Sequence, residues 1–344
     1  MNNLLLFLLT LAVIACLNGI LALGFNLQFG HAGILNFAFI VLVAVGAYMT
    51  GIAAIGPAPN DGFTSYIGGF GWGFPWDVLF GTACTIAFAV VMGGLALRRL
   101  RHDYLALTLF IAGQGLLVLV TNDVNLFDGS NGLTGIPAPW QDQLSPVAFQ
   151  LVFLGISALA LLVVYYFIAR LTRSPLGRAL KSIREDEVAA SSLSKPVWRM
   201  KMTAFLVGAA AAGLGGSLLA VYTSGWSPQG WLPQETIFLL AAVTIGGRGR
   251  NAGALLGSLV VMTGVVQASQ FLPVLGNAEI LPELQAILIG SLLLAFLWWR
   301  PQGILGERKE RFPQIPVEGG DLSSEAVPLF EPSTSTHATR VTPT

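Results

Sequence analysis

Apolar residues gather along the chain into nine runs, at about 4–23, 34–55, 78–97, 104–120, 148–169, 202–222, 235–247, 252–272 and 284–299. A bilayer core of about 30 Å is crossed by roughly 20 apolar helical residues. The pattern therefore predicts an all-α, polytopic membrane protein with eight to ten crossings. The seventh run is too short to cross alone as a regular helix. It reads as a half-helix or as part of a longer broken element, and residues 51–77 leave room for a re-entrant piece.

The polar gaps differ in charge. All 18 Lys and Arg residues fall in four places: 98–101, 170–201, 248–250 and from 300 onward. The gaps at 51–77, 121–147, 223–234 and 273–283 hold none. By the positive-inside rule the four basic regions are cytoplasmic. Nine crossings then put the N-terminus outside and the C-terminal tail inside. Residues 4–23 follow no Lys or Arg, so they read as a retained span, not as a signal peptide.

Composition agrees. Of 344 residues 54% are hydrophobic and only 10% charged, against about 25% charged in soluble domains. Mean hydropathy is +0.71. A soluble fold is excluded, as is disorder for most of the chain. A net charge of zero makes no case for nucleic acid. Cys16 and Cys84 lie in apolar runs and read as packing residues. Residues 1–311 form the predicted transmembrane domain. Residues 312–344, rich in Pro, Ser, Thr and Glu, read as a disordered cytoplasmic tail.

Small residues let helices approach closely in lipid. Gly253-Ala-Leu-Leu-Gly257 and the Ala/Gly run from Gly208 to Gly216 predict such seams within the molecule.

The chain lacks the parts of an enzyme. Its three histidines are His31, His102 and His337. It has no His-Glu-x-x-His pair, no Gly-x-Ser-x-Gly elbow and no phosphate loop. Glu235 and Glu283 stand at span ends, and no clear ionisable group lies near a midplane. No catalytic or metal-binding residue is predicted. The run Gly247-Arg-Gly-Arg-Asn-Ala-Gly253 reads as a tight turn with orienting arginines, and any ATP use falls to another chain.

Three stretches stand out. Gly24-Phe-Asn-Leu-Gln-Phe-Gly-His-Ala-Gly-Ile-Leu-Asn36 is a polar, glycine-rich break between two apolar runs. It is either a broken helix lining a solute pathway or a short cytoplasmic hairpin without a ligand. On the first reading Asn26, Gln28, Gly30, His31, Gly33 and Asn36 line the pathway. Gln114 joins them as a candidate, although Gln114 and Gln267, as polar groups inside spans, more often bond a neighbouring helix. On the outer side, Asp128-Gly-Ser-Asn-Gly-Leu-Thr-Gly-Ile-Pro137 specifies turns. Ser130, Asn131, Gly132 and Thr134 there either meet an external partner, gate the pathway or simply shape a loop. In the long basic region, Pro175 suits a first helical turn. Leu176, Leu180, Ile183 and Val188 give an apolar face, with Arg178, Lys181 and Arg184 opposite and Glu185, Asp186 and Glu187 following. This amphipathic helix lies on lipid headgroups or fits a groove on a cytosolic partner.

At these residues the chain resembles the LivM-type permease subunits of branched-chain amino-acid ABC importers. The match is carried by the 174–190 segment, by Ser130-Asn-Gly-Leu-Thr-Gly-Ile-Pro137, by Gly46-Ala-Tyr48, by Ile245-Gly-Gly-Arg-Gly with Gly253 and Gly257, and by Arg300-Pro-Gln-Gly303. It extends from about residue 20 to 306. The chain departs from the family pattern at His31, at Ala38-Phe39 and at Leu193-Ser-Lys-Pro196.

The resemblance implies an ABC importer permease fold in a bacterial inner membrane, without enzymatic activity or a cofactor on this chain. It implies a LivH-type sister permease, two cytosolic ATPases that use the ATP, and an external solute-binding protein that delivers a branched-chain or other neutral amino acid. It makes 174–198 the ATPase-coupling segment, with Gly177, Arg178, Arg184, Glu185, Asp186 and Ala189 as its residues. The Gly-Gly-Arg-Gly turn keeps a urea or short-amide importer as an alternative. A stand-alone membrane enzyme or carrier built around His31 is a distant one.

Overall fold

The computed structural model describes residues 2–57, 65–99, 102–141, 143–192, 196–266, 280–300 and 302–306. They belong to the first of two compact units, Met1–Glu307; the second, Arg308–Thr344, lies outside the described residues together with Gln267 and residues 193–195.

In chain order the helices are α1 (Asn2–Asn26), α2 (Phe39–Ala54), α3 (Trp76–Arg99), α4 (His102–Asn122), α5 (Val124–Phe127), α6 (Pro146–Arg173), α7 (Pro175–Glu185), α8 (Glu187–Ser192), α9 (Val197–Thr223), α10 (Pro233–Gly246), α11 (Asn251–Ser258) and α12 (Ile280–Trp299). A π turn, Leu27–His31, extends α1, and another, Leu259–Val265, extends α11. Five helices, α1, α3, α4, α6 and α9, are long and apolar enough to cross a membrane. Shorter apolar helices are α2, α10, α11 with its π turn, and Glu283–Trp299 of α12. These nine correspond to the nine apolar runs. With 14 residues, α10 is about 21 Å long, short of a full crossing as predicted.

The centre is α2, in which only Val45 and Met49 are not fully buried. It is wedged between α3 and α9, and glycines make the wedge possible. A Cβ on Gly46 would lie 2.5 Å from the Gly213 carbonyl oxygen of α9, and one on Gly81 of α3 would lie 2.6 Å from the Gly46 oxygen. Backbones meet directly, so contact area replaces the hydrophobic drive that lipid does not supply. The predicted small-residue seams are both internal. Gly213 and Gly216 face α3 and α2, while a Cβ on Gly253 would lie 2.6 Å from the Gly246 oxygen of α10. The outward faces are apolar, with Val91, Leu95, Ile111, Leu159, Leu162 and Phe167 all exposed.

Contacts sort the connections into two groups. At the uncharged end, the amides of Phe70 and Trp72 donate to the Ile52 and Ala53 carbonyls of α2, and that of Gly71 to Ile55 just beyond it (2.7–3.1 Å). Among the described residues, 65–75 holds no re-entrant helix; its backbone caps α2 instead. There too a two-residue antiparallel ladder, β1 (Leu133–Thr134) with β2 (Gly225–Trp226), joins two connections of the otherwise helical fold. Leu133 and Ile136 cover Gly51 near the end of α2. At the other end, the chain around residues 26–33 meets the basic connections at 172–184 and 249–251, and Arg250 bonds the Gly306 carbonyl (3.3 Å). This end is cytoplasmic by the distribution of charge.

Candidate functional site

Helix α7 starts at Pro175, whose ring suits the first helical position. Gly177, Leu180 and Ile183 are buried, while Arg178 is exposed. The helix stops at Asp186, whose side chain turns forward and accepts from the Ala189 amide (2.9 Å), starting α8. The amphipathic element is thus two short helices and not one. Val188, expected on the apolar face, lies beyond the break and is 75% exposed. Glu185, Asp186 and Ala189 are also exposed. Lys201 of α9 pairs with Glu187 (2.6 Å) and ties α8 to the membrane domain.

Arg184 does not stay on the polar side with Arg178. Its guanidinium donates to the Gly30 carbonyl in the π turn that ends α1. Its stem lies against Gly33, where a Cβ would sit 2.9 Å from the Arg184 Cγ. Gly33 has φ +69°, a left-handed conformation that glycine adopts without strain. A helix end leaves carbonyls without intrahelical partners, and Arg184 takes one of them.

The break itself is buried and hydrogen-bonded internally. Asn26 Oδ1 accepts from the Gly249 amide (2.9 Å), and its Nδ2 donates to Asn251 Oδ1 (3.2 Å). Gln28 Nε2 donates to the Phe205 carbonyl of α9 (2.9 Å). Asn36 Nδ2 donates to Gln28 Oε1 (3.0 Å), while Asn36 Oδ1 accepts from the Ala38 amide (3.0 Å). His31, 3% exposed, has Nδ1 3.3 Å from the Asn26 carbonyl. Gly30 is packed against Asn26 and Gly249. These amides bond one another and the backbone at the cytoplasmic end.

Gln114 is half-buried on α4, and no hydrogen bond joins it to this group. Its neighbour Gly113 faces Val41 and Ala38. Of the outer-loop candidates, Ser130, Asn131 and Thr134 are exposed, whereas Gly132 is buried with φ +74° beneath the Trp226–Ser227 backbone. The loop is anchored by Tyr48 of α2, which stacks on Phe127 (4.5 Å) and meets Trp231 edge-on. Inner and outer candidates therefore sit at opposite ends of α2.

Sequence reasoning missed several partners. Asn251 bridges Asn26 to Thr172 Oγ1 (3.5 Å) across separations of 225 and 79 residues. Thr236 accepts from the Ile40 amide (3.3 Å). No spacing marks such pairs. Asp77, 1% exposed in the first turn of α3, was also overlooked; the helix start after Pro75 was the available signal. The turn at 247–250 has a structural account: Gly247 (φ +115°) and Gly303 (φ +75°) abut, and Ile304 and Leu305 donate to the α10 carbonyls of Ile245 and Gly246 (2.8 and 3.0 Å). Among the described residues, no group of three His, Cys, Asp or Glu is placed to hold a metal ion.

Residues 7–297 match the family described as branched-chain amino acid transport system, permease component. The high-affinity branched-chain amino acid permease LivM of Salmonella typhimurium is 30% identical over 328 residues, covering 89% of this chain and 71% of that protein. A probable LivM of Methanocaldococcus jannaschii is 26% identical, covering 84% and 90%. The LivH permease of Escherichia coli is 27% identical, covering 83% and 90%. No solved structure matches the chain.

Proposed function

The chain belongs to the branched-chain amino acid transport permease family, and from that premise we propose how it works as the multi-pass membrane permease of an ABC importer. ATP is hydrolysed on separate subunits. Two cytosolic ATPases dock on α7 and α8, a LivH-type sister permease completes the membrane pore, and an external binding protein delivers a branched-chain amino acid.

The observation that carries this reading is the seating of α7. Its apolar face and Arg184 are held by the membrane domain, while Arg178, Glu185, Asp186 and Ala189 remain exposed at the cytoplasmic end. A helix buried on one side and polar on the other takes force from a cytosolic partner and passes it inward. Its Glu185–Glu187 flank is acidic, which disfavours a helix lying on anionic headgroups. At the outer end, Ser130, Asn131 and Thr134 stand on a ladder-braced loop without basic residues, and this loop receives the binding protein.

The Gly246–Gly249 run that raised urea as an alternative is accounted for by the turn it builds against 302–305. The test is uptake of labelled leucine, alanine, glutamine and urea in cells with and without the gene. Loss of leucine uptake alone, or with other neutral amino acids, is expected. Loss of urea uptake with leucine uptake intact overturns the substrate assignment.

A further inference from the structure

Both ends of α7 lead to one buried side chain. The start of α7 abuts the end of α6, where Gly177 is packed on the Thr172 backbone. Thr172 Oγ1 accepts from Asn251 (3.5 Å), and Asn251 Oδ1 accepts from Asn26 (3.2 Å). The end of α7 reaches the π turn through Arg184 and Gly30. That turn is held to the α10–α11 connection by the bond from the Gly249 amide to Asn26 Oδ1 (2.9 Å). Asn26 is 0% exposed and sits at the last residue of α1 before the π turn.

The π turn explains why a carbonyl is available. Ala32 donates to Leu27 and Ile34 to Gln28, so the Gly30 carbonyl is left for Arg184. A side chain at position 30 is excluded, since its Cβ would lie 2.5 Å from the Gly249 nitrogen. Asn26 is suited to closing the ring because an amide donates and accepts at once.

We propose that Asn26 is a positioning residue of the coupling stroke: by holding the π turn, the α10–α11 connection and the α6–α7 corner as one unit, it makes α7 move α1 and α11 together. The proposal rests on the reading of α7 as the ATPase contact. Without Asn26, Arg184 still grips Gly30, but the pull is no longer shared with the α10–α11 turn.

The test uses the assembled importer, with sister permease, ATPases and binding protein, in proteoliposomes. Leucine uptake and ATP hydrolysis are measured together for the wild type, Asn26→Ala and Asn26→Asp, and assembly is checked by co-purification. Asn26→Ala loses two bonds of a buried amide, each worth several-fold in an equilibrium, so leucine imported per ATP is expected to fall roughly tenfold. Asn26→Asp keeps the acceptor for Gly249 and loses the donor to Asn251, so an intermediate ratio is expected. An unchanged ratio in Asn26→Ala overturns the proposal. If that variant does not assemble, Asn26→Asp decides: a lowered ratio supports the proposal and a wild-type ratio overturns it. Failure of the wild-type complex to import leucine on ATP overturns the transport reading itself, and the coupling role with it.

Discussion

Gly46 is where α2 meets α9, and adding one methyl there tests the packing of the centre. A Cβ would lie 2.5 Å from the Gly213 oxygen and 2.7 Å from the Gly213 Cα. Both atoms are backbone, so no rotamer change relieves the overlap. Ordinary contact begins at 3.4 Å, so α2 and α9 have to part by about 0.9 Å, and a gap of that size forfeits up to about half of the dispersion energy along the seam. The Gly46 oxygen also lies against Gly81 of α3, so the displacement loosens a three-helix contact. Overpacking of this kind costs about 1–3 kcal/mol, and Gly46→Ala is expected near the top, about 3 kcal/mol. Gly94 of α3 has nothing within 4 Å of its built Cβ. Gly94→Ala is therefore expected to be neutral or stabilising by up to about 1 kcal/mol, from helix propensity alone. The assay is denaturation of the purified protein in mixed micelles, with both variants run against the wild type. Equal stability of Gly46→Ala and Gly94→Ala would refute the close-contact argument.

Arg184→Ala removes a charge-assisted bond and the stem against Gly33, at about 1–2 kcal/mol after allowing for partial exposure; uptake per ATP is expected to drop with assembly retained, and Arg184→Lys to recover part of it. Tyr48→Phe deletes the hydroxyl that accepts from the buried Trp231 indole N–H (3.4 Å) but keeps the stack on Phe127, so denaturation should register a loss of about 1–3 kcal/mol. Asp186→Ala removes the side-chain cap at Ala189, expected to cost about 1 kcal/mol and to raise proteolysis between α7 and α8. With Cys16 and Cys84 replaced by Ser, single cysteines at Ser130 and Asp186, both exposed, should react with impermeant maleimide from opposite faces of sealed vesicles; labelling of both from the same face would overturn the orientation.

Helix α7 was legible as far as its start and its apolar stripe. Pro175, Leu180 and Ile183 behave as their spacing predicts. Its break was not, because Asp186 acts through a bond to its own third neighbour, which competes with continuing the helix. The polar break at 24–36 was visible as composition, but composition left two roles open. What composition could not give is that Asn26, Gln28 and Asn36 find partners on α9, on the 249–251 turn and on one another. The outer loop was readable as turns, whereas the pairing of Leu133 with Trp226 joins segments about ninety residues apart and had no local sign.

Read alone, the amino-acid order determined that this is a membrane protein, where its nine apolar segments lie and which connections are basic, hence the side each is expected to face. Those properties sum along the chain: transfer of a segment into lipid depends on its own side chains, and orientation on the charges flanking it. Only the tertiary structure decided that α2 is the centre, that Arg184 turns inward, and that Asn26 closes a ring with Asn251 and Gly249. Those outcomes depend on which backbones approach closely and which buried amides find donors. In lipid a polar group left without a partner is costly, so the fold is selected by satisfying such groups across long sequence separations, and that is a condition on pairs of residues, not on segments.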